Sequence, residues 1–355
     1  MNKLFSWALG SGPPQRNRRQ KHINLALQGG GAHGAFTWGV LDQLLEDGRI
    51  GIDGISGASA GALNAVMLVD GLIRGGRDEA RKRLADFWRA ASVDGNLSAV
   101  QRQVVEQLFR ANSFASAPMK NWLQSMGVSA SQMNPLNINP LKQLIERFVD
   151  FDAIRGSGRD LFISATNAQT GDLRIFHGPE LTAEAVMASA ALPPLFRAVE
   201  IDGVPYWDGG YTSNPPLLPF LQTSQSEDVL LVQIIPARRA SAPTSSREIV
   251  GRTSEIAFNA PLFAELRALA AVDRMAEEQG GRRARKLRLH HIALDEGEVR
   301  TDAASRLNNH YEFFRTLHGL GRQAAQRFLA AHFDAIGVRS TMDATAEADT
   351  EYAGG

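Results

Sequence analysis

Two kinds of apolar pattern alternate along this chain. Short continuous apolar runs, which are typical of buried strands, occur at 23–27, 161–166 and 228–235. Elsewhere apolar residues recur every three or four positions, the spacing of an amphipathic helix, at 35–45, 80–91, 100–109, 248–280 and 302–335. Strands and helices in this arrangement are typical of an α/β protein, and a length of 355 residues suits such a fold as one domain.

The junction at residues 57–61 carries the strongest chemical signal. Its sequence is Gly-Ala-Ser-Ala-Gly, and it lies between a short strand-like run and an apolar helix. A serine in so sharp a turn has a strained backbone, and its hydroxyl projects outward. Gly57 and Gly61 are the small residues that the crowding on either side requires. The pattern predicts a nucleophile elbow with Ser59 at its apex.

A second glycine-rich element, Gln28 to Gly34, lies between the first strand and the first helix. Its N–H groups and the positive end of the following helix suit the oxyanion of an acyl-transfer intermediate. They also suit a pyrophosphate, because Gly29, Gly31 and Gly34 match the dinucleotide-binding fingerprint. That alternative requires an acidic residue after the second strand, whereas Asp53 precedes that strand. The sequence therefore favours oxyanion binding and predicts no nicotinamide or flavin cofactor.

A hairpin leads to the candidate base. Asp202-Gly203 between two apolar runs is a strong hairpin-turn signal. The second arm ends at Asp208, and Gly209 and Gly210 then allow another backbone or a ligand to approach closely. An aspartate at a turn most often serves the turn itself, so the residues alone leave both roles open for Asp208.

The three elements occur in the order found in the patatin-like phospholipases and acyl hydrolases, a family that the chain resembles over residues 22–235. The resemblance is carried by the glycine-rich loop at 29–34, the elbow at 57–61 and Asp-Gly-Gly at 208–210. Residues 188–196 and Asn214-Pro215 match as well. The resemblance implies a three-layer α/β/α fold with a mostly parallel central sheet.

The resemblance also implies a lipid acyl hydrolase of the phospholipase A, lysophospholipase or esterase type. In that family serine and aspartate form a catalytic dyad without histidine, so Ser59 is the expected nucleophile and Asp208 the expected base. An acyl-enzyme on the serine is the expected intermediate. The family commonly has arginine or lysine where this chain has His33, which could instead shape the loop through a hydrogen bond. The expected oxyanion donors are the N–H groups of Gly29, Gly30, Gly31 and Ala60.

Two other classes stay open at this point. The order Ser59, Asp208, then His290 or His291 fits the Ser-Asp-His triad of an α/β-hydrolase esterase. Against it, the elbow follows only the second strand, and the two histidines lie within an apparent strand of their own. A non-catalytic lipid- or nucleotide-binding protein could retain the glycine-rich loop, but the presence of both Ser59 and Asp208 argues against that class.

Composition and charge limit the classes of partner and cofactor that the sequence predicts. Basic and acidic residues balance at 38 each, so nothing in the whole-chain charge predicts binding to nucleic acid. The chain has no cysteine, which excludes disulfides and thiolate metal sites, and no metal-ligand pattern is visible, so a metal-independent mechanism is expected. The expected partner is a lipid or another acyl ester. No apolar run reaches the length of a membrane span, and we expect a cytoplasmic protein, for which peripheral contact with a membrane stays open.

The chain is expected to divide into four segments. Residues 1–21 form a basic, disordered tail, in which Leu4, Phe5, Trp7 and Leu9 could touch a lipid surface. Residues 22–235 form the catalytic region, and 236–338 complete the same domain with helices and a strand. Residues 339–355 form a second disordered tail. The Met- and aromatic-rich stretch at 109–133 could line a lipid channel or lid, or pack as ordinary helix.

Overall fold

The computed structural model describes residues 20–93, 140–193, 196–222, 225–278, 286–295 and 305–342. Eight strands form one sheet: β1 (Lys21–Leu27), β2 (Ile50–Gly57), β3 (Asp160–Asn167), β4 (Leu173–His177), β5 (Val199–Ile201), β6 (Val204–Asp208), β7 (Asp228–Gln233) and β8 (Arg288–Ala293). The helices are α1 (Gly34–Asp47), α2 (Ala60–Ala91), α3 (Pro140–Phe148), α4 (Phe151–Gly156), α5 (Ala183–Ser189), α6 (Ser246–Glu278) and α7 (Tyr311–His332).

The sheet is mixed but mostly parallel at its centre. Its strand order is β5-β6-β3-β2-β1-β7-β8, and β4 pairs with β3 outside that path. The pairs β3–β2, β2–β1, β1–β7 and β7–β8 are parallel, whereas β4, β6 and β5 form antiparallel pairs at one side. The carboxyl ends of the parallel strands meet at one edge, which is where ligand sites of open α/β sheets form.

Alternate residues of the central strands pack into two separate hydrophobic cores. Leu25 and Leu27 of β1 pack into a large cluster with α1, α2 and α7. Ala26, which points to the other face, packs into a smaller cluster with Leu262 and Leu266 of α6. Because successive side chains of a strand point to opposite faces, helices cover both sides of the sheet. The three-layer α/β/α arrangement is confirmed.

The ends of the packed chain lie beyond the predicted boundaries. Lys21, assigned to the N-terminal tail, is the first residue of β1, and its Nζ donates to the carbonyl of Phe333 at 2.9 Å. At the other end, the N–H of Thr341 donates to the carbonyl of Leu289 at 2.9 Å, and Met342 is buried in the smaller core. Residues 339–342, which were assigned to the C-terminal tail, are therefore packed against the rest of the protein.

Helix boundaries differ from the apolar spacing at two places. The helical pattern that begins at 302 gives an α-helix only from Tyr311, and Leu307 lies in a separate 3₁₀ turn. α2 continues for 32 residues but is kinked at Gly75 and Gly76, where the φ of Gly76 is 73°. Residues 1–19 and 94–139, which include both predicted membrane-contact segments, lie outside the described residues.

Candidate active site

Ser59 occupies a strained turn between β2 and α2. Its φ is 51° and its ψ is −120°, a conformation that a non-glycine residue rarely adopts. A Cβ added to Gly57 would lie 2.6 Å from the carbonyl carbon of Gly61, and one added to Gly61 would lie 2.0 Å from the carbonyl oxygen of Leu27. Only glycine fits at either position. Strand, strained turn and helix therefore follow one another at residues 57–61.

The turn at Ser59 is also hydrogen-bonded to α5. The backbone N–H of Ser59 donates to the hydroxyl of Ser189, the last residue of α5, at 2.9 Å. This bond comes from the 188–196 segment, which the sequence marked only as a supporting match. This hydrogen bond holds the strained peptide in one orientation.

Asp208 reaches the same edge of the sheet on a different strand. It is the last residue of β6, paired with Ala165 of β3, and β3 is the neighbour of β2. The next residue must be glycine, because a Cβ at position 209 would lie only 2.1 Å from the carbonyl oxygen of Ser164. The Asp208 carboxylate accepts a hydrogen bond from the N–H of Gly210 at 2.8 Å, so it serves the turn as well as facing the cavity.

Burial sets the protonation chemistry of Asp208. The side chain is only 1% exposed, and loss of hydration raises its pKa from 3.8 to about 6. Hydrogen bonds from the Gly210 N–H and from the Ser59 hydroxyl lower the pKa, but by less than burial raises it. The structure thus places the Ser59 hydroxyl beside the Asp208 carboxyl, whose pKa of about 6 lies close to neutral pH.

Part of the glycine-rich loop lies beside Ser59 in the cavity wall. Gly30, Gly31 and Ala60 line the same cavity as Ser59 and Asp208. The N–H of Gly29 has another role, because it donates to Oδ1 of Asn214 at 2.7 Å. Gly29, one of the four expected oxyanion donors, therefore anchors the loop to Asn214 instead. Asn214 was seen in the sequence only as part of a motif, and its partner could not be read from spacing.

His33 is completely buried beneath the glycine-rich loop. Its Nε2 lies 2.8 Å from the hydroxyl of Ser305. The neighbouring residue, Arg306, lines the cavity, and its carbonyl oxygen lies 2.4 Å from where a Cβ on Gly31 would be. Arg306 pairs with the buried Glu255 of α6 at 3.5 Å. This segment carries no sequence motif, so its place beside the loop comes from tertiary packing.

The cavity that these residues share has a volume of about 350 Å³ and is mainly apolar. Its size and character suit a small apolar ligand group with a few directed polar contacts. The polar side chains in its lining belong to Ser59, Asp208, Ser254, Arg306, Asn308, Asn309 and Tyr211. The apolar walls come from α2, α3, α6, α7 and the loops beside them, and include Leu63, Phe87, Trp88, Leu144, Phe258 and Phe314.

The two histidines of the alternative triad lie elsewhere. His290 is buried on β8, with its Nε2 2.9 Å from the Asp228 carboxylate, and His291 contacts Gln233 at 2.9 Å. Both belong to the β7–β8 side of the sheet, while Asp208 lies on β6 across β3, β2 and β1. The structure brings neither histidine to Ser59 or Asp208, which removes the geometric basis of the triad.

The dinucleotide alternative also lacks support from the geometry. Asp53 lies partway along β2 rather than at its carboxyl end, and its carboxylate is 2.6 Å from Nδ1 of His22. Within the described residues there is no cluster of three or more potential metal ligands. Among those same residues, no helix is long and apolar enough to cross a bilayer.

Comparison with known proteins identifies the family. The model of the patatin-like phospholipase family matches residues 25–221, more than half of the chain. The chain belongs to the patatin-like phospholipase family, and its fold is the patatin fold. No curated protein matches it.

Two solved structures are similar at low sequence identity. VipD from Legionella pneumophila is 16% identical with a TM-score of 0.35, and the match covers 85% of this chain and 67% of VipD. ExoU from the type III secretion system of Pseudomonas aeruginosa, in complex with SpcU, is 14% identical with a TM-score of 0.33. That match covers 88% of this chain, which spans about half, 53%, of the ExoU chain. Similarity at this level carries no inference about activity.

Proposed function

We propose that this protein hydrolyses acyl ester bonds of lipids, with Ser59 as nucleophile and Asp208 as general base. The observation that carries the proposal is the contact between a strained, cavity-facing serine and a buried aspartate whose pKa is raised to about 6. Family membership supports a lipid as the substrate. The expected reaction class is carboxylic-ester hydrolysis of the phospholipase A, lysophospholipase or esterase type.

The first half of the reaction forms an acyl-enzyme. The Ser59 hydroxyl attacks the ester carbonyl carbon while its proton passes to the Asp208 carboxylate. The negative charge that develops on the carbonyl oxygen is stabilised by N–H groups of Gly30, Gly31 and Ala60, and by the positive end of α2. The tetrahedral intermediate then collapses, and the departing alcohol takes the proton from Asp208. The acyl group remains on Ser59.

The second half regenerates the enzyme. Asp208 takes a proton from water, the resulting hydroxide attacks the acyl carbonyl, and the Ser59 oxygen leaves with that proton. A base with a pKa of about 6 suits this cycle, because it is mainly ionised at pH 7 and still donates readily. No step requires a metal ion or an organic cofactor.

Two alternatives give different experimental results. A non-catalytic lipid-binding protein would bind substrate without turnover, and a triad enzyme would lose activity when His290 or His291 is replaced. The contact between Ser59 and Asp208 favours the dyad over both.

Labelling with a fluorophosphonate tests the nucleophile directly. We expect the wild-type protein to be labelled, Ser59→Ala to be unlabelled and inactive on short-chain esters, and the exposed-site control Ser241→Ala to resemble wild type. Labelling of Ser59→Ala at the wild-type rate would refute the assignment.

A further inference from the structure

One buried asparagine is hydrogen-bonded to three elements that surround the catalytic serine. Asn64 lies near the start of α2 and is completely buried. Its Nδ2 donates to the backbone carbonyls of Gly34 and Ala60, each at 3.0 Å. Its Oδ1 accepts from the indole Nε1 of Trp88 at 3.0 Å. One side chain thereby joins the end of the glycine-rich loop, the residue after Ser59 and a wall of the cavity.

The chemistry of these partners allows only one orientation of the Asn64 amide. An indole N–H can only donate a hydrogen bond, and a backbone carbonyl can only accept one. The amide oxygen must therefore face Trp88, and the amide nitrogen must face the two carbonyls. Aspartate at this position would lose both donors, and leucine, which has a similar size, would lose all three hydrogen bonds.

Trp88 reaches the cavity close to the nucleophile. It lines the cavity together with Ser59 and Ala60. A Cβ on Gly34 would lie 2.7 Å from the Cβ of Ala60 and 3.1 Å from Cη2 of the Trp88 indole. The indole and Ala60 therefore meet across the space that the glycine leaves open. Because the Ala60 N–H is an expected oxyanion donor, the indole lies near the acyl carbonyl of the substrate in the proposed reaction.

Aromatic neighbours keep the indole from moving aside. Its ring lies edge to face with Phe314 of α7, with centroids 5.0 Å apart, and with Phe87, with centroids 5.8 Å apart. All three side chains are buried. A close-packed aromatic ring that is also held at its one polar atom resists displacement. This wall of the cavity is therefore rigid.

We propose that Trp88 determines which acyl groups the enzyme accepts, and that Asn64 is the positioning residue that holds Trp88 in place. A straight acyl chain passes the indole, whereas a branch on the carbon next to the carbonyl collides with it. Asn64 touches no substrate and acts through Trp88. The inference rests on the proposed function, because it assigns Trp88 to the acyl part of an ester substrate.

Two esters with the same number of carbon atoms test the inference. The acyl group of para-nitrophenyl butanoate is straight, and that of para-nitrophenyl isobutanoate branches beside the carbonyl. The ratio of their kcat/KM values does not depend on the fraction of enzyme that is folded. We expect the wild type to prefer butanoate, and Trp88→Ala to lower this preference about tenfold, the effect of one methyl group in a close-fitting pocket. Trp88→Phe and Asn64→Leu should lower it by smaller factors, because each keeps an aromatic ring in the wall but removes the hydrogen bond that fixes it.

Matched controls are Trp38→Phe and Asn24→Leu. Trp38 is a buried tryptophan of α1 that packs on the ring of His318, with centroids 4.0 Å apart. Asn24 is a completely buried asparagine of β1, whose Nδ2 donates to the carbonyl of Ser226 at 2.9 Å. Both controls should keep the wild-type ratio even where they lower stability.

Different results would overturn the two parts of the inference. A wild type without a preference for butanoate, or a Trp88→Ala variant with the wild-type ratio, would refute the role of Trp88. An Asn64→Leu variant with the wild-type ratio would refute the role of Asn64, and equal changes in the controls would refute both. If the wild type neither hydrolyses these esters nor reacts with a fluorophosphonate, the proposed function itself is wrong, and the inference falls with it.

Discussion

Replacing Asp208 with asparagine should stabilise the folded protein while it abolishes turnover. The carboxyl is almost completely buried, and its ionisation is opposed by lost hydration more than it is assisted by its two hydrogen bonds. Asparagine has nearly the same shape and keeps an oxygen that can accept from the Gly210 N–H. It cannot take a proton from Ser59. The variant would then be free of the cost of ionising a buried carboxyl, and it would be unable to hydrolyse esters.

The size of the effect follows from the pKa of Asp208. The difference between 3.8 and about 6 corresponds to about 3 kcal/mol, at about 1.4 kcal/mol per pH unit. Below 3.8 the group is neutral in both the folded and the unfolded protein. As the pH rises from there to about 6, the unfolded state ionises first, and the wild type loses this stability. Above about pH 6 the wild type has lost all of this stability, and its free energy of unfolding no longer changes with the ionisation of Asp208.

Urea unfolding of both proteins across this pH range measures the difference. We expect the advantage of Asp208→Asn to be smallest near pH 4 and to rise to about 3 kcal/mol by about pH 7. Asp202→Asn, at the exposed hairpin turn, controls for the loss of a carboxylate elsewhere. A stability difference between wild type and Asp208→Asn that does not change with pH would refute the argument from burial.

Three further predictions concern the pH profile, the loop anchor and the buried histidine. In a pH–rate profile of ester hydrolysis, kcat/KM should fall tenfold per unit below about pH 6, because protonated Asp208 is no base. Asn214→Ala should lower kcat by about 10–100-fold with little change in KM, since it frees the Gly29 peptide of the oxyanion loop; an equal rise in KM would contradict this. His290→Ala should cost about 1–3 kcal/mol in thermal or urea unfolding by leaving Asp228 short of a partner, while the folded variant keeps wild-type turnover.

Local features of the site could be read from the sequence because they depend on neighbours in the chain. The glycines at 57 and 61 are the only residues that the turn around Ser59 accepts. Likewise, Asp202-Gly203 forms the hairpin turn, with φ values of 51° and 78°. Short-range steric exclusion determines both conformations, and it acts the same way in any fold that contains the segment.

The rest of the site depends on which elements pack together. Strand order places Asp208 beside Ser59 and leaves His290 three strands away from β2, although the linear order allowed either base. Packing also brings Arg306 to the cavity and gives the Gly29 N–H to Asn214.

The same distinction holds for α6 and for the protonation of the site. The apolar spacing predicts the helix, but only the packed structure distinguishes Leu262, which is buried, from Ile256, which is exposed. The pKa of Asp208 likewise has no counterpart in the sequence, because it arises from burial by residues that are distant in the chain. Residue order thus determined the turns and the reactive groups, whereas tertiary packing decided which groups meet, which are dehydrated and which apolar face remains exposed.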